Sequence, residues 1–502
     1  MKSEINRRRF VKSAGASGSF LVVPRHVLGG ANYVPPSDKL TLAHIGMGTQ
    51  GFRELGRLLE APEIQVVAVC DPNTASNDYV EWGRGGVRKR IQEMLRNPSW
   101  RESEGGCPGG REIGREVVDT YYANVRGAER FKGCAAYADY RELLEKEKDV
   151  DALKVMTPDR LHACITIAAA RKGKHVVMHK PIANRLHEAR MAIDAVRENK
   201  VQSHLLAFGS GAANGLICAK IKQGAIGRLR EIHNWTNRPV WPQYAEIPRD
   251  RPPVPDGFDW SLWLGPALYR PYHPHYTHTV FRGWYDFGGG SMADMGIYAL
   301  WPVFEELGLE APVSADAWAT HTCAIVDLVS RPMPNDFSYP AACRLRFEFA
   351  ASGDRPGLEL FWYDGGMKPR LPKRIQDDIE AISREGILFV GDEGSILAGF
   401  HGRNPRIYTK NGVEPLWAPG SQEAANGSPK DRTQVWIDAF RNGEPSPGSF
   451  LRTGPISDTV NLGTVALRAG KKVLFDSATM KITNDSDANR HLVREYRPGW
   501  EI

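Results

Sequence analysis

A chain of 502 residues exceeds the size at which a single hydrophobic core keeps growing, so two or three domains are expected. Its 42% hydrophobic and 25% charged residues are ordinary globular values and exclude wholesale disorder. The formal charge of +6 is concentrated in residues 1–25, where Lys2, Arg7, Arg8, Arg9, Lys12 and Arg25 face only Glu4; the rest is nearly neutral and lacks the clustered basic face that nucleic-acid binding requires.

Residues 1–37 begin with Asn6-Arg7-Arg8-Arg9-Phe10-Val11-Lys12 and a weakly apolar run from Ser13 to Val23. A polar residue, two arginines, any residue, Phe, an apolar residue and Lys, in that order, is similar to the twin-arginine export signal. The resemblance implies a protein exported already folded, periplasmic or held at the membrane facing the periplasm, since no small-x-small cleavage site is evident. The apolar run is shorter than the roughly 20 residues of a permanent span, and no later segment offers that length.

After Pro35-Pro36-Ser37, Leu40 to Ile45 reads as a short buried strand running into Gly46-Met47-Gly48-Thr49-Gln50-Gly51. A helical pattern (Phe52, Leu55, Leu58, Leu59) ends near Ala61-Pro62, and a second apolar strand, Ile64 to Cys70, delivers Asp71. Strand, glycine-rich turn, helix, strand and acid in this order form the layout of a dinucleotide site. Gly46 allows the tight turn, Gly48 lets the backbone approach the diphosphate, and Gly51 lets helix and strand pack. Met47, Thr49 and Gln50 complete the turn, and the helix N-terminus offers N–H groups to the phosphates. Asp71 is placed to accept from the adenosine ribose hydroxyls and to repel a 2′-phosphate, favouring NAD; Pro72-Asn73 leaves NADP open.

Further βα units follow. Val150 to Thr157 reads as a strand, His162 to Lys172 as a helix and His175 to Met178 as a strand; Asn184 reads as the N-cap of a helix to about Asn199, and Ser203 to Phe208 as a last strand. The alternation predicts a parallel, doubly wound sheet. Residues 82–132 interrupt it with a charged, Gly-containing insertion expected to be a surface excursion. The seven cysteines contain no CxxC pair and suggest neither a disulfide framework nor a zinc site.

With these pieces go Tyr137-Ala-Asp-Tyr-Arg-Glu-Leu-Leu144, Thr157-Pro158-Asp159-Arg160-Leu161-His162, Gly173-Lys174-His175-Val176-Val177-Met178-His179-Lys180-Pro181, Asp259-Trp-Ser-Leu-Trp-Leu-Gly-Pro266, Arg282-Gly-Trp-Tyr-Asp-Phe-Gly-Gly-Gly290 and Ala293-Asp294-Met295-Gly296-Ile297-Tyr298. In this order they resemble the glucose-fructose oxidoreductase/inositol dehydrogenase (Gfo/Idh/MocA) family over essentially the whole chain after residue 38. Tyr496-Arg-Pro-Gly-Trp500 is similar to its exported subgroup. The resemblance implies a Rossmann NAD(P)-binding domain over 38–182 and a C-terminal α/β domain over 183–502 with a large, mostly antiparallel open sheet, residues 183–208 being available to complete the Rossmann sheet. Strands are expected at Arg230 to Trp235, Ala315 to Cys323, Cys343 to Phe349, Leu358 to Trp362 and Ile387 to Val390. Ser421 to Asp431 reads as a polar loop, with helices from about Arg432 and Ser457. The implied protein is a homo-oligomer, dimer or tetramer, meeting through the open sheet face.

The implied activity is hydride transfer to or from a secondary hydroxyl of a sugar, cyclitol or glycoside, which needs two carbons held together and a group that moves the hydroxyl proton. Lys180 matches the family lysine and Pro181 the proline beside the nicotinamide, whereas His179 stands where the family usually has Glu. Thr157, Pro158, His162 and His179 join the expected cofactor contacts. A helix would put Asp294 and Tyr298, four apart, on one face. The family usually has His at 298, but its glucose-fructose oxidoreductase and dihydrodiol dehydrogenase branches place there a tyrosine proposed as the acid/base. That phenol would need the Lys180 charge to lower its pKa, with Asp294 holding a neighbouring hydroxyl. Arg238, Trp241, His275 and His278 belong to an aromatic, basic cluster suited to a carbohydrate. The three histidines at 273, 275 and 278 lack a carboxylate or cysteine partner in sequence, so no metal is expected. Two other functions remain open: a glycosidase or lyase using transient sugar oxidation with a retained cofactor, and a nucleotide-bound binding protein without turnover.

Overall fold

A computed structural model describes residues 38–125, 133–378, 382–417 and 429–502. The arginine-rich leader and most of the 421–431 loop lie outside them. The first unit is a six-stranded parallel sheet in the order β3-β2-β1-β4-β5-β6. Its strands are β1 (Leu40–Ile45), β2 (Ile64–Cys70), β3 (Ala135–Tyr137), β4 (Ala152–Val155), β5 (His175–Met178) and β6 (Ser203–Leu205). Helices cover both faces, so β4 is buried at every position, as expected of a parallel sheet. Strand β6 pairs with β5 and carries the nucleotide-binding unit past residue 182.

Helix α1 (Thr49–Glu60) buries Phe52, Leu55, Leu58 and Leu59 on the sheet. The residue 82–132 segment is not the surface excursion expected. It forms α2 (Gly86–Leu95) and α3 (Arg111–Thr120), which bury Val87, Ile91, Ile113, Val117 and Val118 in the same core as α1 and β2. The apolar residues recur at helical spacing between charged ones, so a charged segment still has one core-facing stripe. Helices α4 (Tyr140–Lys146), α5 (His162–Arg171) and α6 (Leu186–Glu198) complete the unit. Asn184 does not cap α6, whose N-cap is Arg185. Instead the Asn184 side chain donates to the carbonyls of Tyr285 and Gly288, each at 3.2 Å.

The second unit follows α7 (Ala212–Lys222). It is a ten-stranded sheet built from β7 (Leu229–Trp235), β8 (Ser314–Ala319), β11 (Cys343–Phe349), β12 (Leu358–Tyr363), β13 (Gly386–Gly391), β14 (Gly394–Gly399), β15 (Arg406–Thr409), β16 (Gly412–Pro415), β17 (Val473–Asp476) and β18 (Lys481–Ile482). The β12–β7 pair is parallel and the other pairs are antiparallel. The expected Ala315 to Cys323 strand divides: β8 stops at Ala319, and Cys323–Val326 (β9) pairs with Val329–Pro332 (β10) as a separate hairpin. Burial alternates along β11, one face packing under α8 (Ile297–Leu307) and α10 (Gly454–Ala469). Helix α9 (Pro429–Asn442) returns to the first unit, placing Trp436 and Ile437 in its core. Among the described residues no helix is long and apolar enough to cross a membrane.

The C-terminal tail ties the two units. Arg494 donates to Glu188 of α6 (2.6 Å), to the Asp286 carbonyl (3.0 Å) and to Asn184 Oδ1 (2.5 Å), with both charged side chains buried. Trp500 lies under the Arg141 guanidinium (4.2 Å) and beside Tyr140, while Arg497 bonds to Ser261 and Gly265. Removing one partner of a buried pair leaves an uncompensated charge. Glu188→Ala is therefore expected to cost about 3–5 kcal/mol in chemical denaturation, with Glu188→Gln, which keeps the shape, losing less; a Glu188→Ala midpoint equal to wild type would refute the clamp.

Candidate active site

The first constraint is steric. Gly46 has φ +98°, and a Cβ on it would lie 2.6 Å from the Met156 carbonyl oxygen, while one on Gly51 would lie 2.0 Å from the Gly46 oxygen. Any side chain at either point would force β1, β4 and α1 apart. The first turn of α1 carries no side-chain cap, so its N–H groups face the cleft formed there. Asp71 sits at the end of β2, where Oδ2 accepts from Met47 N (2.7 Å) and Oδ1 from Asn73 N (2.9 Å). Burial raises its pKa above the ordinary carboxylate value, against the pull of those two donors.

The space within this cleft, counting the part open to solvent, is about 940 Å³. Asp71, Pro72, Tyr79, Phe258 and His278 line one end, Gly46, Gly48, Thr49, Gln50 and Gly51 the middle, and Thr157, Pro158, Asp159, His179 and Arg282 the other. The Thr157 hydroxyl is buried with no hydrogen-bond partner. An acid able to hold a ribose, an uncapped helix N-terminus over glycines and an orphaned hydroxyl beyond them fit a dinucleotide in that order. Met47 and His162 are not in the lining. The Met47 side chain packs against Gly114 and its N–H is held by Asp71. His162 lies buried between the carbonyls of Thr157 (2.9 Å) and Pro181 (2.5 Å), where it positions the turn. Tyr79 and Trp82, at the edge of the supposed excursion, do form the wall; their aromatic character in a charged stretch was the available signal.

Beneath the far end, β5 delivers His179 and Lys180. The Lys180 ammonium is 2.8 Å from Asp294 Oδ1, and Arg282 Nε (3.2 Å) and Arg238 Nε (3.6 Å) approach the same carboxylate. Three cations hold Asp294 well below the usual carboxylate range despite its burial. Burial lowers the Lys180 pKa, helped by Arg282 and opposed by Asp294. The pair is sealed, with side-chain exposures of 2% and 9%, and it lines neither cleft. Asp159 is buried nearby, its Oδ2 accepting from Gly289 N at 2.9 Å. Arg282 and Asp159 belong to the quoted motifs, but sequence reasoning gave neither a role.

Asp294 lies in a widened π-helical turn, Met292–Gly296, that precedes α8, so the regular four-residue spacing is replaced by a looser one. Asp294 and Tyr298 still converge, with Lys180 Nζ 4.9 Å from the centre of the Tyr298 ring. The expectation that Lys180 lowers the phenol pKa is not met. The ammonium faces the ring and bonds to Asp294, while the phenol oxygen is 2.8 Å from His179 Nε2. Burial, Asp294 and Glu54 push the phenol pKa far up. Tyr298 and His179 border a second, polar cavity of about 830 Å³ with Gln50, Glu54, His204, His401 and Arg432.

The aromatic, basic cluster disperses. Arg238 reaches the floor beside Asp294, its guanidinium 5.6 Å from the Trp82 ring centre. His278 lines the nucleotide cleft near its Asp71 end, paired with Asp78 (3.4 Å) and 4.1 Å from the Tyr79 ring. Trp241 is buried against Gly283 and His275 is exposed beside Tyr244; neither lines either of the two clefts described above. Their aromaticity serves local packing.

Comparison with known proteins agrees with this geometry. Residues 109–206 match the oxidoreductase family's NAD-binding Rossmann fold and residues 227–343 its C-terminal alpha/beta domain. Levoglucosan dehydrogenase from Pseudarthrobacter phenanthrenivorans is 33% identical over 125 residues, 24% of this chain and 32% of that protein. A glycosyl hydrolase family 109 protein from Shewanella baltica is 22% identical over 242 residues, 45% of this chain and 44% of that protein. The chain thus spans less than half the length of either relative. A crystal structure of the WlbA dehydrogenase from Chromobacterium violaceum, in complex with NADH and UDP-GlcNAcA, shares the fold with TM-score 0.54 at 14% identity, covering 88% of this chain and 97% of that one. Both domain models of the Gfo/Idh/MocA oxidoreductase family are thus matched in order, one on each unit of the fold.

Proposed function

We propose that the protein is an NAD-dependent oxidoreductase that moves a hydride to or from a secondary hydroxyl of a sugar, cyclitol or glycoside. The observation that carries this reading is the junction at His179, where the nucleotide cleft meets a polar cavity bordered by the Tyr298 hydroxyl. A bound nicotinamide supplies the hydride acceptor or donor. The chain itself supplies an orienting cavity, a proton-bearing phenol and, behind them, a positive floor. Lys180, Arg282 and Arg238 outnumber Asp294 and Asp159 even when both acids are ionised. That surplus stabilises negative charge building on a substrate oxygen as its proton leaves. Relatives that carry sugar-dehydrogenase names support the substrate class.

The export signal resemblance and the exposed apolar side chains of Ile325, Leu328 and Val329 on the β9–β10 hairpin support an exported homo-oligomer. The cofactor then stays with the folded protein. A second reading, a glycosidase that oxidises a sugar transiently and returns the hydride, is favoured by the longer stretch matched in the glycosyl hydrolase relative than in the dehydrogenase.

Two measurements test these readings. Purified protein offered sugars and glycosides is expected to reduce bound nucleotide, read in the near ultraviolet, with Lys180→Ala at least about 100-fold slower. Aglycone release without net reduction selects the second reading, and an unaltered Lys180→Ala enzyme overturns the site assignment. Asp71→Ala removes hydrogen bonds to a charged acceptor worth about 1.5–3 kcal/mol. NAD affinity should fall about 10- to 150-fold, with NADP affected less; an unchanged NAD to NADP ratio would show that Asp71 does not face the ribose.

A further inference from the structure

We infer that His179 is the proton acceptor for Tyr298, so that an alcohol oxidised here loses its hydroxyl proton through a phenol–imidazole pair without forming a phenolate. The inference rests on the oxidoreductase reading above. The two side chains come from different units, His179 following β5 and Tyr298 on α8, and they meet at 2.8 Å between Oη and Nε2. Both border the polar cavity, and His179 also borders the nucleotide cleft. Among the described residues Gln50 also borders both spaces, but it is His179 that lies within hydrogen-bond distance of the phenol oxygen.

The surroundings set the resting state. Lys180 from the same turn, Arg282, Asp294 and His162 of α5 face the imidazole, and burial together with the neighbouring cations pushes its pKa well below the usual histidine value. Asp294, Glu54 of α1, Arg282 and Arg432 of α9 act on the phenol, and the His401 ring lies 6.5 Å away. The phenol therefore rests protonated and the imidazole neutral, with the phenol as donor. A buried phenolate beside Asp294 is not available as the base near neutral pH. A neutral imidazole at hydrogen-bond distance is.

The step balances as follows. The substrate hydroxyl proton passes to Tyr298 Oη while the proton of Tyr298 passes to His179 Nε2. The C–H pair leaves as hydride to the nicotinamide, and the O–H pair becomes the second bond of the carbonyl. The products are a carbonyl, a reduced nicotinamide, a neutral tyrosine and an imidazolium, which returns its proton to solvent. An alcohol is a weaker acid than an imidazolium. As the hydride departs, however, the hydroxyl takes on the character of a protonated carbonyl, a far stronger acid, and loses its proton before that positive charge is fully formed beside the cations. Transfer to an imidazole that environment keeps neutral thus becomes downhill late in the step. His179 acts through Tyr298 and is a positioning and relay residue, not a contact to the reacting carbon.

The test uses the full-length protein with ¹⁵N-labelled histidine and the variants His179→Gln, His179→Glu and Tyr298→Phe. In the resting protein His179 should show an unprotonated Nε2 through pH 6–8, and Tyr298→Phe should shift that signal. Oxidation by wild type should weaken as pH falls, because acid protonates the acceptor, with the acid limb displaced below the usual histidine value. Gln accepts the phenol hydrogen bond but cannot take a proton. His179→Gln should therefore lose about 100-fold or more in kcat with little change in KM or nucleotide binding, and should lack the acid limb. Glu restores a proton acceptor and should recover part of the rate. A protonated Nε2 at rest, or a His179→Gln enzyme with wild-type kcat and pH profile, overturns the relay alone. A wild-type protein that oxidises no sugar or glycoside overturns the relay and the oxidoreductase reading together.

Discussion

Lys180 and Asp294 take two charges out of water, a transfer that costs several kcal/mol per ion before mutual attraction offsets it. Their contact at 2.8 Å joins the strand end of the nucleotide-binding unit to the π-helical turn that precedes α8 in the other unit. Arg282 donates to the same oxygen as Lys180 and Arg238 lies 3.6 Å from the other, so Asp294 is surrounded by cations and remains ionised. With both side chains sealed, the two units cannot separate at this point without stranding a charge. The position of Tyr298, one turn further along, follows from that anchor, as does its meeting with His179.

Other contacts across the same boundary share the load. Arg160, from the turn after β4, is fully buried, its guanidinium 3.9 Å from the Trp263 ring centre and 4.8 Å from that of Phe287, and it donates to the Leu264 carbonyl at 2.9 Å. Arg494 reaches back from the tail to α6. Each guanidinium ends on backbone carbonyls or a buried carboxylate. Planar donors with several N–H groups are suited to such seams because they can satisfy acceptors from both sides at once. The clefts are consequently framed by fixed walls, with the nucleotide end shaped by Tyr79, Trp82 and His278.

What the sequence made legible was local. Gly46, Gly48, Gly51 and Asp71 are separated by a single turn, helix and strand, so their spacing alone implies the cradle that the structure contains. Lys180, Asp294 and Tyr298 were legible only through resemblance, because nothing local brings residues over a hundred positions apart together. The failures have the same origin. Asn184 precedes a helix as a cap would, yet its amide is held by carbonyls from the other unit. His162 looks available, yet it is wedged between two backbone carbonyls. His275 and Trp241 have the right chemistry for a sugar but line neither of the two clefts. The 82–132 segment hid its core stripe among charges, and with it one aromatic wall of the cleft, Trp82.

On the proposed function, the distribution of charge at the site separates two tasks that one residue could not perform. A buried lysine able to act as a base would have to lose its proton, which would remove the cation that stabilises a developing oxyanion. Here the cations are fixed on the floor by Asp294, and the groups that meet the substrate side, Tyr298 and His179, are neutral at rest. Electrostatic stabilisation therefore persists whichever way the proton moves. The same separation explains why the phenol need not be acidic: its proton has a partner 2.8 Å away, so the barrier is set by the substrate's changing acidity and not by the cost of a buried phenolate.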